Sequence, residues 1–352
     1  MKKSVYHISI LLMAAIIFTL GIVTFFSIRQ LHSIERAYTT MPLRSDLRGH
    51  KELSILESPS IVRFLDKDRL LYVHENVLVV QSIKDSLDRK VLYGHTKPVQ
   101  ALDVSPNGKT IVSSSEDGTL RLWDVQTGSC LQTSLQMDTL SQPTWLMLMD
   151  VHYIQNGRKI ITADMDGIKT WSARNCRLLS EKNRDYFYMR SGVIGPTGKT
   201  CCAYVTDGGF ELMDTQKDVI LYNHKEEGRI LCYSPDGEVL LFANEGNGNM
   251  MGWDVSILHR KKGKIVAMIP FLREGVPTTC AAFSPDGKEV VSASEDGMIY
   301  VWNAKTGTLR ESFPSGEEYI DGVCFDMTGT CILAFRNISN RVHIWGPREW
   351  MI

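Results

Sequence analysis

The sequence lacks the local motifs that mark most enzymes, metal centres and nucleotide-binding sites. It contains no HExxH, no P-loop, no GxSxG and no GxGxxG after a strand. Its eight cysteines are scattered, without C-x-x-C pairs or zinc-ligand spacing, which excludes a small disulfide scaffold. Neither charge dominates, because 39 Lys and Arg stand against 40 Asp and Glu, so no basic field is available for nucleic acid. We therefore expect no cofactor, no metal and no nucleic-acid partner, and no small-molecule substrate is evident.

One segment lacks charge altogether. The 21 residues from Ile8 to Ile28 include no Asp, Glu, Lys, Arg, Asn, Gln or His. A helix of that length spans roughly 30 Å, the thickness of a bilayer core. We predict an N-terminal tail over 1–7, a single transmembrane helix over 8–28 acting as an uncleaved signal anchor, and a linker over 29–40. A cleaved signal peptide is the alternative, although the run is long for one and no A-x-A-like site ends it.

The charges beside this segment do not decide which side of the membrane the remainder faces. Lys2 and Lys3 precede the span, and four arginines between residues 29 and 48 follow it. A short Met-Lys-Lys start favours export of the rest. Scattered cysteines and a basic run near residue 260 favour a reducing compartment beside an anionic leaflet. We expect a single-pass membrane protein whose larger part faces the cytosol.

Beyond residue 40 the sequence repeats itself. Residues 101–124 read ALDVSPNGKTIVSSSEDGTLRLWD, and residues 280–303 read CAAFSPDGKEVVSASEDGMIYVWN. Weaker copies follow the same plan of strand, turn, strand, tight turn and a third strand that ends near a bulky residue. The closing positions lie 40 to 49 residues apart, at Gln81, Trp123, Trp171, Met213, Trp253, Trp302 and Trp345.

This series resembles the WD40 family, whose repeat of ~40–45 residues forms one four-stranded propeller blade. The resemblance implies an all-β fold, a seven-bladed WD40-type β-propeller over residues 41–352. It also implies that the N-terminus supplies the outermost strand of the last blade, which we place at residues 41–47, ahead of Gly49-His50. The anchor would then enter from the bottom face and leave the top face free.

The same resemblance implies a buried structural network of His, Ser, Asp and Trp in each complete repeat. The second repeat carries all four members, and the sixth carries three with Glu274 at the His position; these residues are His95, Ser113, Asp117, Trp123, Ser292, Asp296 and Trp302. We interpret His95 and Asp117 as members of this network rather than as a catalytic dyad.

Two surface features indicate possible contacts. An aromatic loop enters the fourth blade on the top face, where neighbouring turns carry charged residues; the partner-binding candidates are Tyr186, Phe187, Tyr188, Glu116, Glu295 and Arg336. The alternative is that the aromatic rings pack between blades. A basic run on a bottom-face connection provides candidates for anionic lipid headgroups, Arg260, Lys261, Lys262 and Lys264, unless it is only a solvated charge run.

The sequence as a whole favours a membrane-tethered protein-interaction scaffold that recruits a protein or peptide on its top face. A structural subunit of a membrane assembly is the first alternative. A hydrolase-type enzyme with an active site at the mouth of the central channel is the second, because a site assembled from distant loops leaves no local motif.

Overall fold

A computed structural model describes residues 49–347, apart from 56–58, 136–149, 165–166, 184–191, 205–208, 216, 218, 226–227, 246–252, 260–263 and 270–277. The predicted tail, transmembrane helix and linker, together with residues 41–48, lie outside the described residues. In the part that is described, no helix is long and apolar enough to cross a bilayer.

The described residues form 28 strands in seven four-stranded antiparallel sheets. Blade 1 contains β2 (Pro59–Phe64), β3 (Arg69–His74), β4 (Val77–Ser82) and β5 (Arg89–Leu92). Blade 2 contains β6 (Val99–Val104), β7 (Thr110–Ser115), β8 (Thr119–Asp124) and β9 (Cys130–Leu135). Blade 3 contains β10 (Asp150–Ile154), β11 (Lys159–Asp164), β12 (Gly167–Ser172) and β13 (Leu178–Asn183). Blade 4 contains β14 (Gly192–Ile194), β15 (Thr200–Tyr204), β16 (Phe210–Asp214) and β17 (Val219–His224).

The remaining three blades follow the same order. Blade 5 contains β18 (Gly228–Tyr233), β19 (Val239–Glu245), β20 (Trp253–His259) and β21 (Lys264–Ile269). Blade 6 contains β22 (Thr278–Phe283), β23 (Glu289–Ser294), β24 (Met298–Asn303) and β25 (Leu309–Pro314). Blade 7 contains β26 (Gly322–Phe325), β27 (Ile332–Phe335), β28 (Arg341–Gly346) and, as its fourth strand, β1 (Gly49–Ser54).

Glycine residues form the hairpin turns between the strands of blades 2 and 6. Gly108 and Gly287 end the first hairpin turns of blades 2 and 6 at φ of 67° and 70°, a region that residues with a Cβ rarely adopt. At the next hairpin of blade 6, Gly297 has φ 74°, and a Cβ there would lie 2.1 Å from the Glu317 carbonyl oxygen. All three turns therefore require glycine for their conformation, and the turn at Gly297 requires it for space as well.

The hydrophobic core lies between the blades rather than in one central mass. Seven clusters of buried side chains each join two consecutive blades, and the cluster around Leu70 and Val342 joins blade 7 back to blade 1. First strands of neighbouring blades contact one another around the axis, so they are the inner strands. The all-β seven-bladed propeller predicted from the repeats is therefore the fold.

The strand that closes the ring differs from the predicted one. We placed it at residues 41–47, but the fourth strand of blade 7 is β1, which pairs antiparallel with β28 from Gly49 opposite Gly346 to Ser54 opposite Arg341. Gly49 and His50 therefore belong to the strand itself and not to a loop after it. Leu53 is buried in the cluster between blades 7 and 1, which explains why this register is chosen over one eight residues earlier.

The fifth repeat is also shifted from its predicted alignment. In blade 2 the closing Trp123 lies opposite Ile111 of the second strand, and in blade 6 Trp302 lies opposite Val290. In blade 5 the residue equivalent to Ile111 and Val290 is Leu240, and it lies opposite Leu258. Trp253 is the first residue of β20, five positions earlier. Leu258 is fully buried and fills the closing position, so Trp253-Asp254 is not the fifth blade's counterpart of Trp123-Asp124.

Candidate functional site

The top face is defined by a hydrogen-bonded network in blade 2. His95 lies on the connection that enters the blade, and Asp117 lies on the β7–β8 turn. Asp117 Oδ2 accepts from His95 Nδ1 at 2.9 Å, and Ser113 Oγ lies 2.8 Å from His95 Nε2. Trp123 Nε1 donates to the same Ser113 oxygen at 2.8 Å. The four residues predicted for this network are thus brought together, and they join the two kinds of loop on this face.

The Asp117 carboxylate is held in its ionised form. Burial opposes ionisation, but hydrogen bonds from His95, from the Thr119 hydroxyl and from the Thr96 amide lower the pKa of Asp117 well below its usual range. The β7–β8 turn is therefore fixed by a charge that accepts four hydrogen bonds, one each from His95 and Thr96 and two from Thr119.

His95, Ser113 and Asp117 have the hydrogen-bond order of a serine hydrolase triad but not its accessibility. Ser113 is fully buried, and its oxygen already accepts the Trp123 indole N–H. The His95 side chain is also 0% exposed. A substrate carbonyl cannot reach this hydroxyl, so the arrangement stabilises the blade and does not supply a nucleophile.

Blades 6 and 3 retain parts of the network. Trp302 Nε1 donates to Ser292 Oγ at 2.8 Å, as in blade 2. Asp296 accepts from the Met298 amide at 3.0 Å and from the Tyr300 hydroxyl at 3.3 Å, so a tyrosine from the same blade is one of its partners where a His was absent. In blade 3, Trp171 donates to Thr162 at 3.0 Å, a pair that the sequence analysis did not identify.

The predicted partner-binding residues fall into two groups. Tyr186, Phe187 and Tyr188 lie outside the described residues, as do Glu274 and the basic residues Arg260, Lys261 and Lys262. Glu116, Glu295 and Arg336 lie between the second and third strands of blades 2, 6 and 7, all on the top face. Blades 6 and 7 are neighbours, whereas blade 1 separates Glu116 from them.

These three side chains differ in how freely they face solvent. Glu295 is exposed. Glu116 Oε1 accepts a hydrogen bond from Gln100 at 2.6 Å, and Arg336 lies 3.9 Å from Glu317. Glu295 is therefore the one of the three that is most available to a partner.

At the junction of blades 7 and 1, two histidines and an acid link the closing strand to the ring. His50 of β1 stacks on Trp345, and its Nε2 lies 3.0 Å from Nδ1 of His343. His343 Nε2 lies 3.3 Å from a carboxylate oxygen of Glu317. Burial and the charge of His343 lower the pKa of His50, which favours the neutral form that can share one hydrogen bond with its neighbour.

A second polar cluster lines the central channel, and the sequence analysis missed it. Arg63, Asp103, His152, Cys232 and Cys324 occupy the same register position on the inner strands of blades 1, 2, 3, 5 and 7. Their sequence spacing is close to the repeat length, so no local motif marks them. A signal was available, because aligning the repeats would have placed these five residues at one height.

His152 is paired with two carboxylates from two blades. Its Nε2 lies 3.1 Å from Asp150 Oδ2 and its Nδ1 lies 3.6 Å from Asp103 Oδ2. Burial disfavours the imidazolium, but Asp150 and Asp103 together raise the pKa of His152 to about 10. The same carboxylates accept backbone N–H groups of the next blades, from Tyr153 at 2.7 Å and from Ile194 at 2.8 Å. These hydrogen bonds connect blade 2 to blade 3 and blade 3 to blade 4 near the axis of the propeller.

On the opposite side of the channel the groups are neutral. Burial raises the pKa of the Cys232 thiol to about 12 and that of Cys324 to about 11, although Arg63 lowers both slightly. Within the described ranges, no group of three or more His, Cys, Asp or Glu side chains is arranged to hold a metal ion.

The bottom face contains a groove between blades 5 and 6. Its volume is about 580 Å³, and the Ser-Pro-Asp-Gly turns at 234–237 and 284–287 form its sides. His259, the last residue of β20, lines it, and the basic run follows directly. Lys264, the last member of that run, begins β21, whereas the other three members lie outside the described residues.

Comparison with known proteins supports the same fold. The family described as "WD domain, G-beta repeat" matches residues 88–124 and 273–303, the second and sixth repeats. The β-propeller domain of Cps50 (Swd1) from Myceliophteria thermophila superposes with a TM-score of 0.65 at 16% identity, covering 84% of this chain and 99% of that one.

Among curated proteins the similarity extends over about two thirds of the chain. Autophagy-related protein 16 of Arabidopsis thaliana is 26% identical over 246 residues, which cover 67% of this chain and 45% of the relative. Apoptotic protease-activating factor 1 of Rattus norvegicus is 27% identical over 242 residues, covering 62% and 17% respectively. The chain thus spans less than half the length of these relatives. The two matched WD repeats and the seven antiparallel blades lead to one assignment: this chain is a WD40-repeat β-propeller.

Proposed function

We propose that this protein is a membrane-tethered interaction scaffold that recruits a protein or peptide partner on the top face of its propeller. The observation that carries the proposal is the construction of that face. Buried networks around Ser113 and Ser292 hold the blades, while Glu295 on a neighbouring turn faces solvent. A surface with rigid turns and exposed side chains binds a partner at a low cost in conformational entropy.

The tether and the orientation are part of the proposal. The uncharged run over 8–28 supplies the anchor, and β1 begins at the bottom face because Gly49 lies opposite Gly346 at the end of β28. With β1 starting at residue 49, the segment between the anchor and the propeller has 20 residues, which reach at most ~70 Å. The basic run on the β20–β21 connection is on the same face, where anionic headgroups attract each basic residue by ~1 kcal/mol.

A matched pair of charge reversals in blade 6 tests the binding face. Glu295→Lys changes the exposed top-face turn, and Lys305→Glu changes an exposed residue on the bottom-face connection of the same blade. The full chain, tagged and purified in mild detergent, should lose its substoichiometric protein partners with the first variant and keep them with the second. Equal retention by both would reject the top face, and a stable stoichiometric set of membrane proteins would instead favour a structural subunit.

The aromatic loop is tested separately. If Tyr186 and Phe187 contact a partner, Tyr186→Ala/Phe187→Ala should weaken recruitment and leave the melting temperature within a degree or two. A fall in melting temperature of about ten degrees would show that the rings pack between blades, since loss of buried aromatic side chains costs ~3–5 kcal/mol each.

We further propose that the propeller faces the cytosol. Cys130 is the one exposed cysteine among the eight, so it provides a single reporter site for a membrane-impermeant maleimide. Cells expressing the full chain should be labelled only after permeabilisation, and the Cys130→Ser variant should remain unlabelled. Labelling of intact cells would place the propeller outside.

A further inference from the structure

Arg63 is an unpaired cation on an inner strand of the propeller. It lies on β2, its side chain is exposed, and within the described part of the chain it forms no ion pair or hydrogen bond. Arginine is planar, always charged and carries five N–H donors, so an arginine without partners keeps its full capacity to bind an oxyanion.

The register of the inner strands places Arg63 at the same height as Asp103, Cys232 and Cys324. Arg63 interacts electrostatically with Asp103 of blade 2, with Cys324 of blade 7 and with Cys232 of blade 5. Blade 5 is not a neighbour of blade 1, so one side chain can approach all three groups only from inside the central channel.

The surrounding groups leave this charge available. Asp103 interacts electrostatically with Arg63, but its carboxylate accepts the Tyr153 amide and pairs with His152. Asp150 is likewise bound to His152 and to the Ile194 amide. Cys232 and Cys324 are neutral thiols at physiological pH and do not compete for the guanidinium. The acids are therefore engaged by the blades, while the Arg63 side chain is exposed.

We propose that Arg63 forms an oxyanion-binding site in the central channel, which takes an acidic side chain of the segment recruited to the propeller. This inference rests on the proposed function: the segment is the partner recruited on the top face, and it enters the channel from that face along β2, whose fifth residue is Arg63. A planar guanidinium binds a carboxylate through two parallel N–H···O hydrogen bonds, which gives both affinity and orientation. A free anion such as inorganic phosphate presents the same oxygens, and the experiment separates the two sources.

The test uses the full chain in nanodiscs of neutral lipid and a displayed library of random peptides. Arg63→Gln removes the channel charge, and Arg89→Gln removes the same charge from the exposed outer strand of blade 1 as a matched control. Because Arg63 is exposed and forms no side-chain hydrogen bond or ion pair within the described residues, both variants should melt within a degree or two of the wild-type protein.

We expect peptide binding to depend on the charge of Arg63 and not on that of Arg89. Peptides selected on the wild-type chain should contain an Asp or Glu whose change to the amide weakens binding at least about tenfold. The same change in the peptide should alter its binding to the Arg63→Gln variant by less than about twofold. The Arg89→Gln variant should bind both peptides as the wild type does. That outcome supports the site.

Three other outcomes are decisive. If selected peptides bind equally well to wild type and Arg63→Gln, the inference fails while the scaffold function stands. If no peptide is selected but inorganic phosphate raises the melting temperature of wild type and not of Arg63→Gln, the oxyanion site is supported with a free anion as its ligand, and the peptide source is rejected. If neither peptide nor phosphate distinguishes the variant, the site is overturned.

Discussion

Ser113 has a larger structural role than its size suggests, because one hydroxyl serves two buried groups. The Ser113 hydroxyl accepts the indole N–H of Trp123 and is hydrogen-bonded to Nε2 of His95, whereas among the described residues Ser292 in blade 6 bonds to Trp302 alone. The two serines occupy equivalent positions and are both buried. Comparing the two serines therefore measures how much the hydrogen bond between His95 and Ser113 contributes to the free energy of unfolding.

Ser113→Ala should destabilise the propeller more than Ser292→Ala. The first change leaves two buried polar groups unsatisfied and the second leaves one, at about 1–3 kcal/mol for each group. Urea denaturation of both variants in parallel gives the two free energies of unfolding. Equal losses would show that the bond between His95 and Ser113 contributes nothing to stability.

His152 should make the stability of the propeller decline on the alkaline side. Its pKa in the folded protein is about 10, above the ~6.5 of an exposed histidine, so the folded state holds the proton more tightly. The stabilisation is complete below pH ~6.5 and is lost as the pH rises toward 10. The difference in melting temperature between wild type and His152→Gln should shrink across this range in calorimetric scans. A constant difference from pH 7 to pH 10 would contradict the charged state of His152.

At the scale of elements, the ring depends on one short strand at the N-terminal end of the propeller. β1 pairs along its whole length with β28, covers that edge strand and carries His50 into the cluster with His343 and Trp345. An uncovered edge exposes a row of unpaired backbone groups to water or to other chains. The strand therefore closes the ring and protects it from association.

Truncation at two positions tests this closure. A chain that begins at residue 49 retains β1 and should melt close to the full propeller, whereas one that begins at residue 55 loses β1 and should melt markedly lower and aggregate. Circular dichroism melting with light scattering measures both properties. Similar melting of the two truncations would mean that β1 contributes little to closure.

The sequence predicted the fold because each blade repeats the same turns, and it failed where a repeat departs from them. Glycine turns and serine–tryptophan pairs locate blades 2 and 6 from local patterns alone. In blade 5 the Trp253-Asp254 dipeptide suggested the wrong register, because only the pairing of Leu240 with Leu258 shows which residue is buried. The strand at 41–47 was misplaced for a similar reason, since Gly49-His50 resembled a loop motif but is extended and paired.

The channel cluster was not predictable from any local pattern. Arg63, Asp103 and His152 come from three blades and meet only when the ring closes, so their proximity depends on tertiary structure. The top-face network was predictable because its four members in blade 2 lie within 29 residues of each other, from His95 to Trp123. Sites built within one blade thus appear as local patterns, whereas sites built between blades become visible only when the repeats are aligned.

At the scale of the whole molecule, the two faces of the propeller differ in construction. The top face combines the fixed turn at Asp117 with the exposed Glu295, whereas the bottom face carries the start of β1 and the groove between blades 5 and 6. The proposed function places attachment at the bottom and recruitment at the top. The proposed function therefore requires that a bound partner cover the top face of the propeller.

Hydrogen–deuterium exchange of the full chain, alone and with a co-purified partner, measures this directly. The account predicts slower exchange on binding in the top-face segments around Asp117, Asp296 and Arg336. It predicts no change in the bottom-face turns at 105–110 and 284–289. Protection confined to those bottom-face turns would contradict the assignment of the top face as the recruiting surface.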